Sequence, residues 1–141
     1  MRVILSGVEG LRRHGLTIAW AALLFGLSSI PDLSFPVSVF SWDDKIQHVL
    51  AYMPLGFLLL RSIVWQDQIN RKKLWLAIVI GALYGATDEI HQHFVPGRFM
   101  DWTDAAADAA GVMLGGCFFY LWRRRQLMTQ RQAKSEKMIA S

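Results

Sequence analysis

Four apolar stretches, set apart by polar clusters, limit what this chain can fold into more than any other feature. They cover residues 16–30, 46–65, 74 to about 95 and 105–122. An α-helix needs about 20 mostly apolar residues to cross the hydrocarbon core of a bilayer. The second stretch has that length, the third and fourth reach it with acids at one end, and the first is short. With 53% hydrophobic and 18% charged residues in a chain of 141, there is more apolar surface than so small a domain buries in water, and a bilayer supplies its destination. The sequence therefore predicts an all-α fold, an integral membrane bundle of four transmembrane helices at about 14–31, 46–65, 74–95 and 105–122. These fill one domain over 1–125, followed by a polar, frayed tail over 126–141. Arg12 and Arg13 before the first stretch, with Ser28 and Ser29 near its end, also fit a cleaved signal peptide. No small-residue cleavage site follows and Ile30-Pro31 is a poor context, so the segment is expected to stay as a helix.

Charge sets an orientation. Arg2, Arg12 and Arg13 precede the first stretch, Arg71, Lys72 and Lys73 separate the second from the third, and Arg123, Arg124, Arg125, Arg131, Lys134 and Lys137 follow the fourth. Basic residues mark the cytoplasmic side, which puts the N and C termini and the middle loop inside. Residues 31–45 and 96–104 then face outward, with Lys45 and Arg98 as their basic residues. Arg61 can snorkel from the second helix toward the inner headgroups. Asp32, Asp43, Asp44, Asp88, Glu89, Asp101, Asp104 and Asp108, eight of the eleven acids, fall on the outer side. The net charge of +4 and pI near 9.6 thus come from arginines that set topology, not from a groove-facing stripe, and no nucleic-acid partner is expected. The basic tail can contact anionic membrane lipids. The single cysteine, Cys117, rules out an intramolecular disulfide and every CxxC metal site, and reads as a small packing residue.

Residues able to carry chemistry gather at the outer helix ends. Asp43-Asp44-Lys45-x-x-His48-x-x-x-Tyr52 opens the second helix, and its spacing puts Asp44 or Lys45, His48 and Tyr52 along one stripe. One of the two aspartates can instead cap the helix by accepting from its unpaired amides. An imidazole about one turn inside a membrane span is costly to leave alone, so His48 is expected to face the bundle interior. Tyr84-Gly85-x-x-Asp88-Glu89-x-His91-Gln92-His93 closes the third helix at the same face. Tyr84, Asp88 and Gln92 share one stripe, and Glu89, Gln92 and His93 share its neighbour, so Glu89 and His93 could reach a common metal ion or proton. A helix end that turns polar where the bilayer stops covers His91 and His93, but covers the paired carboxylates less well.

Pro96-Gly97 marks a turn. Beyond it Asp104 and Asp108 stand at i and i+4, and Gly111 and Gly115 continue the stripe as a G-x-x-x-G face, whose close packing would carry Asp108 into the bundle. Arg98 either pairs with the acids or grips a phosphate or carboxylate group bidentately.

Asp44-Lys45-x-x-His48-x-x-x-Tyr52-x-x-Leu55-Gly56, Tyr84-Gly85-x-x-x-Glu89-x-x-Gln92, Pro96-Gly97-Arg98 and Asp104-x-x-x-Asp108-x-x-Gly111-x-x-x-Gly115 together resemble the VanZ-like membrane proteins, over about residues 40–116. The resemblance implies a small bacterial inner-membrane protein, in a family whose founding member is associated with resistance to the glycopeptide teicoplanin. It brings no settled reaction with it and does not imply that this chain confers resistance. The family commonly places Asn where this chain has Asp108, so the chain adds an acid there.

Three functional classes follow. The first is an enzyme or binding site for an envelope lipid or lipid-linked glycopolymer precursor at the outer face. Its candidate catalytic residues are His48, Glu89, Asp104 and Asp108, and its candidate substrate-binding residues are Asp44, Lys45, Tyr52, Tyr84, Gln92 and Arg98. A His–carboxylate pair could act as a general base, or the set could hold a divalent cation of unknown identity, with ligands drawn from separate helices. The second is a non-enzymatic structural or accessory module, whose polar network must be mutually complete because half-satisfied polar groups are costly in a membrane. The third is a small proton-coupled or lipid transporter, for which four short helices leave little room unless the protein dimerises.

Overall fold

The computed structural model describes residues 2–31 and 43–139. Asp32, most of the expected outer connection 31–45, and the side chains of Arg2 and Asp43, including the capping role considered for Asp43, lie outside the described residues. The described residues form four α-helices and no strand: α1 (Arg2–Ser28), α2 (Asp43–Val64), α3 (Arg71–Gln92) and α4 (Trp102–Ile139).

The helical class matches expectation, and α2 and α3 lie close to the expected bounds. Two helices run past the expected spans. Helix α1 begins at Arg2 instead of near 14, and α4 runs on to Ile139 instead of ending near 122. The segment after 125, expected to fray, is helical because residues 122–139 contain no Gly or Pro and are rich in Arg, Gln, Lys and Met, all good helix formers. Apolar content ends near Trp122, but helix propensity does not.

By length and composition, Asp44–Val64 and Trp102–Ile139 are long and apolar enough to cross a membrane. Large apolar side chains stand exposed on all four helices, among them Leu16, Leu23, Leu50, Trp75, Leu83 and Phe118. Water would penalise such a surface, whereas lipid tails are as apolar as leucine.

Cross-helix contacts give the directions. Arg13 Nε donates to the Ser62 carbonyl at 2.9 Å and Trp20 Nε1 to the Ala51 carbonyl at 3.0 Å, so α1 runs antiparallel to α2. The Tyr84 hydroxyl donates to the Ala21 carbonyl at 2.6 Å and Ser28 Oγ to Asp88 at 2.7 Å, so α1 and α3 run parallel. His48 meets Asp108 at 2.9 Å, and the Phe57 and Phe119 rings meet edge to face at 4.9 Å, so α2 and α4 run parallel. The result is an up-down-up-down bundle.

Its tightest seam lies between α2 and α4. A Cβ on Gly56 would strike the Val112 carbonyl, one on Gly111 the Val49 carbonyl, and one on Gly115 the Met53 carbonyl. Glycine at these positions lets the two backbones touch. Leu24, Tyr52, Leu55 and Val112 form one buried cluster, and Leu60, Val64, Ala77 and Phe119 another. Helix α3 starts where Asn70, in extended conformation, accepts from the Lys73 amide at 3.0 Å, satisfying one of the donors a helix start leaves open. After α3, Gly97 takes φ 75°, a conformation that costs glycine little. This turn returns residues 98–101 to the end of the bundle.

Candidate functional site

The glycine seam decides what stands opposite His48. With α2 and α4 in backbone contact, Asp108 enters the bundle with no exposed surface. Room for it comes from Gly85 on α3, where a Cβ would lie 2.8 Å from that of Asp108. Asp108 Oδ1 lies 2.9 Å from His48 Nδ1, and Asp108 Oδ2 is buried without a hydrogen-bond partner among the described residues. The other imidazole nitrogen, Nε2, faces Asp104 Oδ2 at 3.8 Å. One turn earlier on α2, Lys45 Nζ bonds Asp104 Oδ1 and reaches Asp101 Oδ2 at 3.1 Å and Asp44 Oδ2 at 3.2 Å. Asp44 itself is well exposed, with its Oδ1 accepting from the Lys45 amide at 2.8 Å.

Helix α3 adds the third wall. Glu89 is fully buried. Its Oε1 accepts from Gln92 Nε2 at 2.7 Å, and its Oε2 from the Asp101 amide at 3.2 Å. Arg98 donates to Gln92 Oε1 through Nη2 at 2.7 Å and Nε at 3.1 Å, so the amide links the guanidinium to the buried carboxylate. His48, Glu89 and Asp104, from three helices, each present a nitrogen or oxygen within 4.8 Å of the others.

Asp88 serves different neighbours. Successive residues of a helix point about 100° apart, and while Glu89 looks toward α4, Asp88 accepts from Ser28 Oγ at 2.7 Å and from the Tyr52 hydroxyl at 2.9 Å. Tyr52 therefore joins the same end of the bundle through Asp88. Tyr84, expected beside the cluster, is engaged with α1 through the Ala21 carbonyl. His91 also turns to α1, stacking on Phe25 at 4.4 Å and meeting Ser29 Oγ at 3.0 Å. The expected pairing of Glu89 with His93 is corrected. His93 is exposed at the cap of α3 with its ring against Phe94, because the helix ends before the imidazole completes the turn toward the interior. The partner of Glu89 in space is His48.

One contributor has no role in the sequence reading, and another enters it only as an acid of the outer cluster. Ser28 is the donor that ties α1 to Asp88, and nothing local signals it, since the contact spans the whole of α2. Asp101, grouped in the sequence with Asp104 and Asp108, has a further role as the acid directly before a helix. It accepts from the Thr103 amide and hydroxyl, both at 2.8 Å, in the manner of an N-cap. These bonds, then Lys45, hold the Asp101 carboxyl down at about 2.

The arrangement can place a proton acceptor, cationic donors and convergent ligand atoms at one end of a membrane-compatible bundle. The sequence model described as VanZ/LLP1 matches residues 10–123, which include every residue of this cluster. No curated protein matches the chain, and no solved structure does.

Proposed function

We propose that this chain, which belongs to the VanZ/LLP1 family, is a four-span protein of the bacterial cytoplasmic membrane that binds or acts on an envelope lipid or lipid-linked glycopolymer precursor at its exterior face. One observation carries the reading: His48, Glu89, Asp104 and Asp108 converge from α2, α3 and α4, with Lys45 bonded to the same cluster. Imidazole against carboxylate suits general-base work on a hydroxyl. Lys45 and Arg98 suit an anionic headgroup, Lys45 as a compact charge and Arg98 through its planar fork. The exterior placement is supported by charge, because the basic residues that mark the cytoplasm lie at the opposite helix ends. Both termini are then inside.

The test is to purify the protein within a patch of its own membrane and identify the co-purifying lipids by mass spectrometry. A retained undecaprenyl-type phosphate lipid is expected, reduced at least tenfold in Lys45→Ala and His48→Ala variants that still elute as folded protein. Bulk phospholipid alone, in wild type and variants alike, would sink the reading.

A packing role is favoured for one part of the network. Asp88 has both oxygens engaged by Ser28 and Tyr52, a closed set that specifies one helix arrangement and leaves no acceptor unmet. Under that reading Asp88→Ala lowers expression and thermal stability together, with no change in the lipids retained per folded molecule.

A further inference from the structure

We propose that His48 Nε2, Glu89 and Asp104 form a binding site for one divalent transition-metal ion of Zn2+ or Mn2+ character, and that Asp108 is the residue that orients His48 for it. The inference uses the same cluster as the precursor site above, and it is tested without any precursor.

The orientation of the imidazole comes first. An ionised carboxylate only accepts, so against Asp108 Oδ1 at 2.9 Å the proton sits on Nδ1, and in the neutral imidazole Nε2 then keeps its lone pair for a metal. Histidines that ligate metals commonly donate their other nitrogen to a carboxylate in this way, which fixes the tautomer and raises the basicity of the ligand. Nε2 then points at Asp104 Oδ2, 3.8 Å away, too far for a hydrogen bond. Glu89 brings a third ligand atom, and all three fall within 4.8 Å of one another. An ion held at about 2.0–2.2 Å from each would draw the three ligand atoms closer together.

Charge provides a second, independent reason. Glu89 and Asp108 have no exposed surface, and Asp108 Oδ2 has no hydrogen-bond partner among the described residues. Lys45 answers Asp104 through Oδ1, leaving Oδ2 on the side of His48. Buried carboxylates need compensating charge, and a cation on Nε2 supplies it where the three acids surround one imidazole. The donor set selects the ion. The imidazole favours Zn2+ over the all-oxygen ions Mg2+ and Ca2+, and the two carboxylates also accommodate the harder Mn2+. Three protein ligands leave coordination positions open to water or a phosphoryl oxygen. An ion there would also turn a site lined with acids into one that attracts an anionic headgroup.

The experiment uses the full chain in detergent, with an affinity tag that contains no histidine. The protein is stripped with EDTA, dialysed against Zn2+ or Mn2+ and assayed for metal by mass spectrometry and for melting temperature. About one ion per chain is expected, with a melting temperature that rises as metal is added. Asp104→Asn and Glu89→Gln should bind at least tenfold more weakly, and Asp108→Ala about 10–100-fold more weakly. Glu9→Gln, at the far end of the bundle, should bind as wild type does. The proposal is overturned if wild type takes up no stoichiometric ion and its melting temperature ignores metal, which would leave a protonated His48 as the bridge. It is also overturned if Asp104→Asn and Glu89→Gln load as well as wild type. Metal uptake without a retained precursor sinks only the proposed function. A retained precursor on protein that never takes up metal sinks only the ion.

Discussion

At the scale of single residues, Asp88 and α1 are held by tyrosine and serine hydroxyls that donate to identified acceptors. Tyr52→Phe keeps the ring but deletes the hydroxyl that meets Asp88 Oδ2 at 2.9 Å. The buried carboxylate is then left with Ser28, at an expected cost of about 1–3 kcal/mol. Tyr84→Phe removes a donor to a backbone carbonyl at a less buried position and should cost about 0.5–1.5 kcal/mol. Melting temperatures in detergent check the order, and a smaller loss at Tyr52 than at Tyr84 would remove Asp88 from the structural account. Asp101 makes a pH prediction. Its carboxyl is lowered from 3.8 to about 2 by the Thr103 amide and hydroxyl and by Lys45. A folded value below the unfolded one means a contribution that is complete above 3.8 and lost as pH falls through about 2. Asp101→Asn should therefore flatten the decline of melting temperature within that acid window and leave the slope at higher pH unchanged. Identical acid slopes in the two proteins would contradict it.

Among the elements, the α2–α4 seam is the part most exposed to small changes. Gly115→Ala drives a methyl into the Met53 carbonyl, a clash between backbones that no side-chain rotation relieves, with an expected loss of about 1–3 kcal/mol or more. Gly10→Ala in α1 meets nothing within 4 Å and should stabilise by about 0.5–1 kcal/mol through helix propensity. Folded yield after detergent extraction distinguishes the two, and equal behaviour would mean that the seam is loose. This seam was legible in the sequence, because Asp104, Asp108, Gly111 and Gly115 repeat every turn and leave only one way for α4 to face its neighbour. The stripe of Lys45, His48 and Tyr52 was legible for the same reason. Pairing across helices was not. Spacing places Glu89 and His93 on one face, but it carries no information on where the helix stops, and His93 falls at the cap. Spacing also cannot tell that Asp88 and Glu89 answer to different helices. The far bounds of α1 and α4 escaped because apolar content locates the lipid-compatible stretch, whereas propensity alone decides where the winding ends.

For the molecule as a whole, the up-down-up-down order fixes which ends lie together, and the charge bias predicts which of them faces the cytoplasm. In a Cys117→Ala background, Phe99→Cys, at a site 87% exposed, should react with a membrane-impermeant maleimide on intact spheroplasts. Gln68→Cys and Ser135→Cys should react only after permeabilisation. The opposite pattern would invert the orientation and move the acid cluster to the cytoplasm. Helix α4 carries a further consequence. Its 38 residues extend about 57 Å at 1.5 Å per residue, against about 30 Å for a hydrocarbon core. If α4 crosses the bilayer, its C-terminal part is a stiff, charged shaft that passes the headgroup layer and reaches beyond it. A soluble partner grafted in unbroken helical register after Ile139 would be held at a fixed angle to the bundle, giving a 16.0 kDa chain a rigid marker by which electron-microscope images could be aligned.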